Sequence, residues 1–328
     1  MTIALTFEAV EEAAPGDAWR SLFERHWPRY RPWFLHEGER ARASYAECSR
    51  SLREHMPELV PTWERLCELA GGGDLEARML SMWRPPSFLS GCSQGVWTHG
   101  SPVLVRNYDY APERFEGTIL STAWDGRRVM GTGDCLWGLL DGVSDAGLAV
   151  SLAFGGRPVV GDGFGIPIVL RYLLQTCATV AEARAVLARL PYHLAHTLTL
   201  VDRSGDVATA YLSPDRGALF CETGIATNHQ GEVEWHEHAR ATRTLERERA
   251  VAAALAESHD PDGLADAFLR PPIFSDAYAS GMGTLYTAVY DVARGAVAYR
   301  WPGYMWEHSF ERFRPGIRVV GLVESSAA

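Results

Sequence analysis

Two stretches decide how this chain is read: Ser90-Gly91-Cys92-Ser93-Gln94 and, eleven residues beyond the cysteine, Val103-Leu104-Val105-Arg106-Asn107-Tyr108-Asp109-Tyr110. The first sets a thiol behind a glycine at the start of a predicted strand. The second is a strand that ends in a carboxylate. Far downstream, Gly224-Ile225-Ala226-Thr227-Asn228-His229 is a short apolar run that ends in an amide. A thiol, an acid and an amide of this kind suit a nucleophile, an orienting group and an oxyanion donor. Alternation places Arg106 and Tyr108 on one face of the second strand, and Asn107 and Asp109 on the other, unless a bulge intervenes. A lone cysteine is ordinarily a small buried hydrophobe. That reading suits Cys48, Cys67, Cys135 and Cys177, which sit among apolar or helical residues. The Gly-Cys-Ser setting sets Cys92 apart.

The chain has 328 residues, 47% of them hydrophobic, enough for one large domain or two small ones. A net charge of -10 argues against a general nucleic-acid surface. There is no lysine, which excludes a P-loop, a Schiff-base lysine and any other catalytic lysine. The nearest pair among the six cysteines is Cys48 and Cys67, so zinc or redox Cys-x-x-Cys spacing is missing. The N-terminal residues show no basic segment followed by a long apolar run, and no 18-residue apolar stretch occurs. A soluble cytoplasmic protein with reduced thiols and no membrane partner is expected.

Helical spacing of Trp19, Leu22, Phe23, His26, Leu52, Leu59, Trp63, Leu66 and Leu69 predicts helix over 16–71, with Gly71-Gly72-Gly73 after it. A short helix over 75–82 stops at Arg84-Pro85-Pro86. Strands are predicted at 94–98, 102–110, 117–123, 127–132, 136–142 and 147–154, then helices at 166–177 and 180–190. Strands return at 196–202, 206–213, 217–221 and 224–228. A charged amphipathic helix follows over 237–257, with Leu245, Val251, Ala254 and Leu255 on its apolar side. A hairpin of 284–291 and 295–301 is expected to close the chain. Such an order suggests sheet layers covered by helices, an α+β fold.

The Gly91-Cys92-Ser93-Gln94 and Arg106-Asn107-Tyr108-Asp109 segments resemble the nucleophile region of the N-terminal-nucleophile hydrolases. The resemblance is greatest to the acyl-coenzyme A:6-aminopenicillanate acyltransferase-like family, with the choloylglycine hydrolases more distant, and it covers roughly residues 88–310. It implies a four-layer αββα sandwich over 92–328, preceded by a helical pro-segment over 1–91. It also implies self-cleavage of the Gly91–Cys92 bond, with the freed α-amine of Cys92 acting as base. An α-amine has a pKa of about 7.7–8.0, so it can take and return a proton near neutrality. By the same resemblance Asp109 would hold that amine, Asn228 would supply the oxyanion hole, and Arg106 would lie near the thiol. Arg243, in Ala241-Thr242-Arg243, would match the Ser-x-Arg site of the bile-salt enzymes. The implied substrates are a small-molecule acyl donor and an amine acceptor or water, through a thioester at Cys92, with no cofactor. The cleaved N-terminal segment is expected to stay as a partner.

Other readings compete. Arg106 suits a structural ion pair, Asp109 a strand-end turn, Asn228 a β-turn and Arg243 a helix surface. Ala153 stands where the bile-salt and penicillin V hydrolases carry a polar residue, which removes one oxyanion donor. Ser144 replaces an Asn of the family's Gly-x-Asn-x-x-Gly-Leu segment. A papain-like Cys92–His229 pair would need no cleavage. Glu234, His236 and His238 could in principle hold a metal. A catalytically silent binding protein on the same fold is the rival from another functional class.

Overall fold

The computed structural model of the protein describes residues 2–323. The chain opens with strand β1 (Thr2–Glu12), then helices α1 (Asp17–Phe34), α2 (Tyr45–His55), α3 (Val60–Leu69) and α4 (Asp74–Ser81). Next come β2 (Gly91–Trp97), β3 (Val103–Tyr110), β4 (Thr118–Thr122), β5 (Val129–Asp134), β6 (Gly138–Ser144) and β7 (Leu148–Phe154). Helices α5 (Ile166–Thr176) and α6 (Val180–Leu187) lead to β8 (His196–Asp202), β9 (Val207–Ser213), β10 (Arg216–Cys221) and β11 (Ile225–Ala226). Helices α7 (His236–Ala241), α8 (Thr244–Glu257) and α9 (Pro261–Phe268) precede β12 (Gly283–Asp291), β13 (Ala296–Trp301), β14 (Tyr304–Ser309) and β15 (Gly316–Val323).

The strands form two sheets, ordered β10-β9-β8-β7-β6-β5-β4-β1-β15 and β11-β2-β3-β12-β13-β14. Pairing is antiparallel except between β1 and β4. The sheets face each other at β2, β3 and β7. Helices α5 and α6 cover the large sheet, and α8 and α9 the small one. This is the expected αββα sandwich. Because both faces of the central strands are covered, β2, β6, β7 and β8 are buried along their whole length. Their polar side chains, among them Gln94, Asp141, Ser144, Thr197 and Thr199, are buried with the rest. Among the described residues no helix is long and apolar enough to cross a membrane.

The N-terminal region departs from a purely helical segment. Thr2–Glu12 is a strand held between β4 and β15. Leu5, Phe7 and Ala9 are buried while Ala4 and Thr6 are exposed, the period-2 pattern of a half-covered strand. The helices after it are tied to the sandwich by indole donors. Trp19 Nε1 donates to the Leu136 carbonyl at 3.0 Å, and Trp137 Nε1 to that of Leu80 at 2.8 Å. Tyr172 of α5 donates to Glu58 at 2.7 Å. With the sheet on one side and these helices over it, α5 is buried almost all round. Three further differences lie downstream. The 237–257 helix is broken at Arg243, whose φ of 51° ends α7 and starts α8. Helix α9 was not expected. The chain does not close at Trp301 but adds β14 and β15, the latter completing the pairing of β1.

Phe7 is fully buried, with ring centroids 4.8 Å from Trp301 and 5.4 Å from Phe115. Phe7→Ala should therefore lower unfolding stability by about 3–5 kcal/mol in urea titrations. If the chain is cut before Cys92, its two pieces should still co-elute in size-exclusion chromatography and part only in denaturant. A folded 92–328 piece eluting alone would show that β1 is dispensable.

Candidate active site

Strands β2 and β3 pair with Gly91 opposite Asp109, Cys92 opposite Tyr108, Ser93 opposite Asn107 and Gln94 opposite Arg106. Opposed residues share a face. Cys92, Gln94, Arg106 and Tyr108 therefore look into the space between the sheets, and Ser93, Asn107 and Asp109 toward α8 and α9. The contacts agree. Arg106 reaches Asp141 and the Leu152 carbonyl in the large sheet, and Asn107 Nδ2 donates to the Phe268 carbonyl at 2.8 Å. The irregularity that could have upset this alternation falls instead in β12, between Thr284 and Tyr286.

Cys92 is fully buried. Arg106 Nη2 donates to its Sγ at 3.4 Å, and Ser90 Oγ lies 3.8 Å away. Burial pushes the thiol up from its ordinary pKa, while the Arg106 guanidinium pulls the other way. Arg106 also donates to Asp141 and, at 2.7 Å, to the Tyr286 hydroxyl. Burial acts to lower its pKa but is outweighed by Tyr286, Cys92 and Asp141, so it stays a cation. Both sequence readings of Arg106 hold at once: it is a buried ion-pair residue and a neighbour of the thiol.

The backbone of Cys92 is gripped from the other side. Its N–H donates to Asn228 Oδ1 at 3.0 Å, and its carbonyl accepts from Arg247 Nη1 at 2.6 Å. Asn228 Nδ2 donates to the Ser90 carbonyl at 3.0 Å and to the Phe154 carbonyl at 3.1 Å. One amide thus spans Gly91, holding the residue before it and the residue after it. Two glycines permit this closeness. A Cβ on Gly91 would lie 2.9 Å from Asp109 Cβ, and one on Gly156 (φ +68°) would lie 2.3 Å from the Asn228 carbonyl oxygen. Asp109 accepts from Thr284 Oγ1 at 2.6 Å and pairs with Arg247 at 3.2 Å. Burial pushes its carboxyl up and the Arg247 guanidinium down; their mutual attraction opposes both shifts.

Arg247 is the residue that sequence reading missed. Arg243 sits elsewhere: it is exposed, pairs with Glu246 at 2.7 Å, and makes no hydrogen bond to Cys92 among the described residues. One turn further along α8, Arg247 reaches Cys92, Ser93, Asp109 and Asn228. The buried residues of α8 are Thr244, Arg247, Val251 and Ala254, one stripe at three- and four-residue spacing. Extending the Val251–Ala254 stripe backwards lands on Arg247. Leu245, assigned to the apolar side from sequence, is 41% exposed.

The competing constellations lie apart from the thiol. The His229 ring meets Thr227, Thr244 and Glu248, with no hydrogen bond to Cys92 among the described residues. Glu234 is paired with Arg157 at 2.8 Å, and no group of three potential metal ligands occurs among the described residues. Ala153 is buried in β7 between Leu152 and Phe154, whose carbonyls are taken by Arg106 and Asn228. Ser144 Oγ accepts the Leu148 N–H at 3.4 Å and braces a turn. A cleft of about 460 Å³ opens beside the nucleophile strand, lined by Tyr30, Trp33, Phe88, Tyr108, Tyr110 and Asp134 among others.

The family model described as acyl-coenzyme A:6-aminopenicillanic acid acyl-transferase matches residues 97–305. Among solved structures the chain is similar to a mutant conjugated bile acid hydrolase from Clostridium perfringens (11% identity, 70% of this chain and 96% of that one, TM-score 0.47). It is also similar to penicillin V acylase from Agrobacterium tumefaciens (14% identity, 70% and 82%, TM-score 0.41). A third is the Caenorhabditis elegans ortholog of N-acylethanolamine-hydrolyzing acid amidase (14% identity, 70% and 99%, TM-score 0.48). A comparison with curated proteins returns no match.

The two arginines of α8 should behave differently. Arg247→Ala strips the counter-ion from a buried carboxylate and should cost about 3–5 kcal/mol of stability. Arg243→Ala should change it by less than about 0.5 kcal/mol. Urea titrations of both variants check this; equal effects would place Arg247 outside the network.

Proposed function

Because the chain belongs to the acyl-coenzyme A:6-aminopenicillanic acid acyl-transferase family, we propose that it is a self-cleaving cysteine acyltransferase or amidohydrolase whose nucleophile and base are both Cys92. The observation that carries this reading is the Asn228 side chain, bound at once to the Ser90 carbonyl and the Cys92 N–H. It fixes the Gly91–Cys92 peptide against the thiol.

In the cleavage step Cys92 Sγ attacks the Gly91 carbonyl carbon. The peptide C–N bond breaks, the Cys92 nitrogen takes a proton and becomes an amine, and a Gly91 thioester forms. Water then hydrolyses that thioester, leaving a Gly91 carboxylate and a free thiol. Departure of Ser90 releases one Asn228 Nδ2 hydrogen, which becomes the donor for a substrate oxyanion. Asn228 Oδ1 keeps its hold on the nitrogen of Cys92. Asp109, packed against Gly91, sits where it can accept from the new amine once Gly91 has moved away.

In the substrate reaction the amine takes the thiol proton and Sγ attacks the acyl carbon of a linear amide or acyl thioester. The amine returns the proton to the leaving group. The acyl group, now a thioester on Cys92, passes to water or to an amine. Burial raises the thiol's pKa, so an adjacent base is needed to remove the proton. The α-amine supplies one with a pKa of about 7.7–8.0.

Purified protein should give two fragments, the larger with an N-terminal sequence of Cys-Ser-Gln-Gly, whereas Cys92→Ala should remain one chain. In already cleaved protein, Asn228→Ala should lower kcat by about 10²–10³. Asp109→Asn should lower kcat by orders of magnitude and move the rise of activity with pH to lower pH, because the amine loses a carboxylate that favours its protonated form. An uncut wild-type chain that turns over substrate would rule out the amine as base.

A further inference from the structure

Helix α1 does more than cover the sandwich. Its Tyr30 and Trp33 line the 460 Å³ cleft with Phe88, Tyr108 and Tyr110, beside Asp134, the last residue of β5, and polar groups that include Glu113 and Arg114. The rings bring a largely aromatic surface to two carboxyls, of which Glu113 is exposed. Asp134 is half-buried, and it belongs to the cleft lining. The Tyr30 hydroxyl lies 3.2 Å from it and also bonds Glu116, whose carboxylate accepts the Leu136 N–H at 2.8 Å. Neither Asp134 nor Glu116 has an arginine or histidine ion pair among the described residues. Enclosure, and then the neighbouring Glu116, push the Asp134 carboxyl up to about 7. Two acids sharing one hydroxyl without a counter-ion are costly, and a cation beside them offsets that cost.

The Cys135 thiol donates to Asp134 at 3.5 Å but carries no positive charge. His36 is exposed and bonds the Trp33 carbonyl at 2.9 Å, and the arginines of the cleft do not supply the cation either. Arg29 is exposed and donates to the carbonyls of Glu113 and Phe115 at 3.3 and 3.2 Å. Arg114 is exposed and bonds Tyr110. Both are solvated, and their charges are screened.

We propose that this cleft binds a cationic amine, its ammonium against Asp134 and its body between the faces of Tyr30, Trp33, Tyr108 and Tyr110. An aromatic cage ending in a carboxyl is a suitable receptor for such a group. The proposal deepens the function above and rests on it in one respect: the acyl carbon of the substrate is delivered to Cys92. Tyr108 connects the two places. It lies opposite Cys92 in the strand register, and the Arg106 guanidinium carbon is 4.7 Å from its ring centroid. Burial, and then the charge of Asp134, raise the pKa of its hydroxyl, with Cys92 a further neighbour. In this proposal the ammonium at Asp134 is a recognition group and not the reacting nitrogen. Helix α1, which brings Tyr30 and Trp33, lies outside the residues that match the family, whereas Tyr108, Tyr110 and Asp134 lie within them.

Benzylamine, cationic throughout the range used, and its neutral counterpart benzyl alcohol can be titrated calorimetrically into the full protein, Asp134→Asn and Trp33→Leu. Wild type should bind the amine about tenfold more tightly than the alcohol. Ionisation of Asp134 favours the cation, so the preference should grow between pH about 5.5 and about 8.5. Asp134→Asn should lose both the preference and its pH dependence, and Trp33→Leu should weaken the amine more than the alcohol. Equal binding of the two probes by wild type, or an undiminished preference in Asp134→Asn, would overturn the proposal. Should Asp134→Asn fail to fold, Trp33→Leu carries the test, and an unchanged preference in it overturns the proposal. Iodoacetamide labelling of Cys92 and N-terminal sequencing read the reaction separately. A cleaved, labelled Cys92 without amine preference sinks the cation site alone, and an uncut, unreactive Cys92 with the preference intact sinks the reaction alone.

Discussion

The buried guanidinium of Arg247 is the interaction on which the site depends. A charge taken out of water is tolerated only when its hydrogens and its field are both answered. Arg247 meets five acceptors: the carbonyls of Thr242 and Cys92, Ser93 Oγ, Asp109 Oδ2 and Asn228 Oδ1. The five acceptors come from four parts of the fold: the α7–α8 junction, β2 (which supplies two), β3 and the loop after β11. The cost of leaving any of them unpaired in the interior holds the set in one arrangement. The break at Arg243 starts α8 at the register that points Arg247 inward.

A second buried arginine works on the opposite face of the same strand pair. Arg106 crosses the space between the sheets to Asp141, which also accepts from Thr132 at 2.7 Å and from the hydroxyls of Tyr286 and Tyr290. The thiol of Cys92 lies on this side and its backbone is held from the other. One cation tempers the pKa that burial raises; the other secures the peptide that the thiol faces. In the proposed reaction neither arginine moves the proton; that part falls to the nitrogen of Cys92, whose N–H is bound to Asn228.

Much of this was legible in the sequence because it rests on local pattern. Alternation along Arg106-Asn107-Tyr108-Asp109 assigned the faces correctly, since a strand pairing without a bulge preserves period two. Most central strands are legible because strand-like segments separated by Gly, Asp and Pro mark them. What escaped depends on long-range closure. The alternation of Leu5, Phe7 and Ala9 is present in the chain, but its partners Thr118–Thr122 and Gly316–Val323 lie far away. Strand β15 was hidden because Ile317 and Val319 are exposed and its apolar pattern is not a core pattern. Among Arg243, Arg247 and Arg249 only Arg247 falls on the stripe of Val251 and Ala254, a signal masked in sequence by Leu245, and the φ of 51° at Arg243 starts α8 at that register.

The most direct measurement is a peptide map of protein quenched during turnover with an acyl donor, read by mass spectrometry. An enzyme whose own N-terminal cysteine is nucleophile and base should carry the acyl group as a thioester on a peptide that begins at Cys92. An acyl group on a peptide that still runs through Gly91, or on a different residue, would contradict this account.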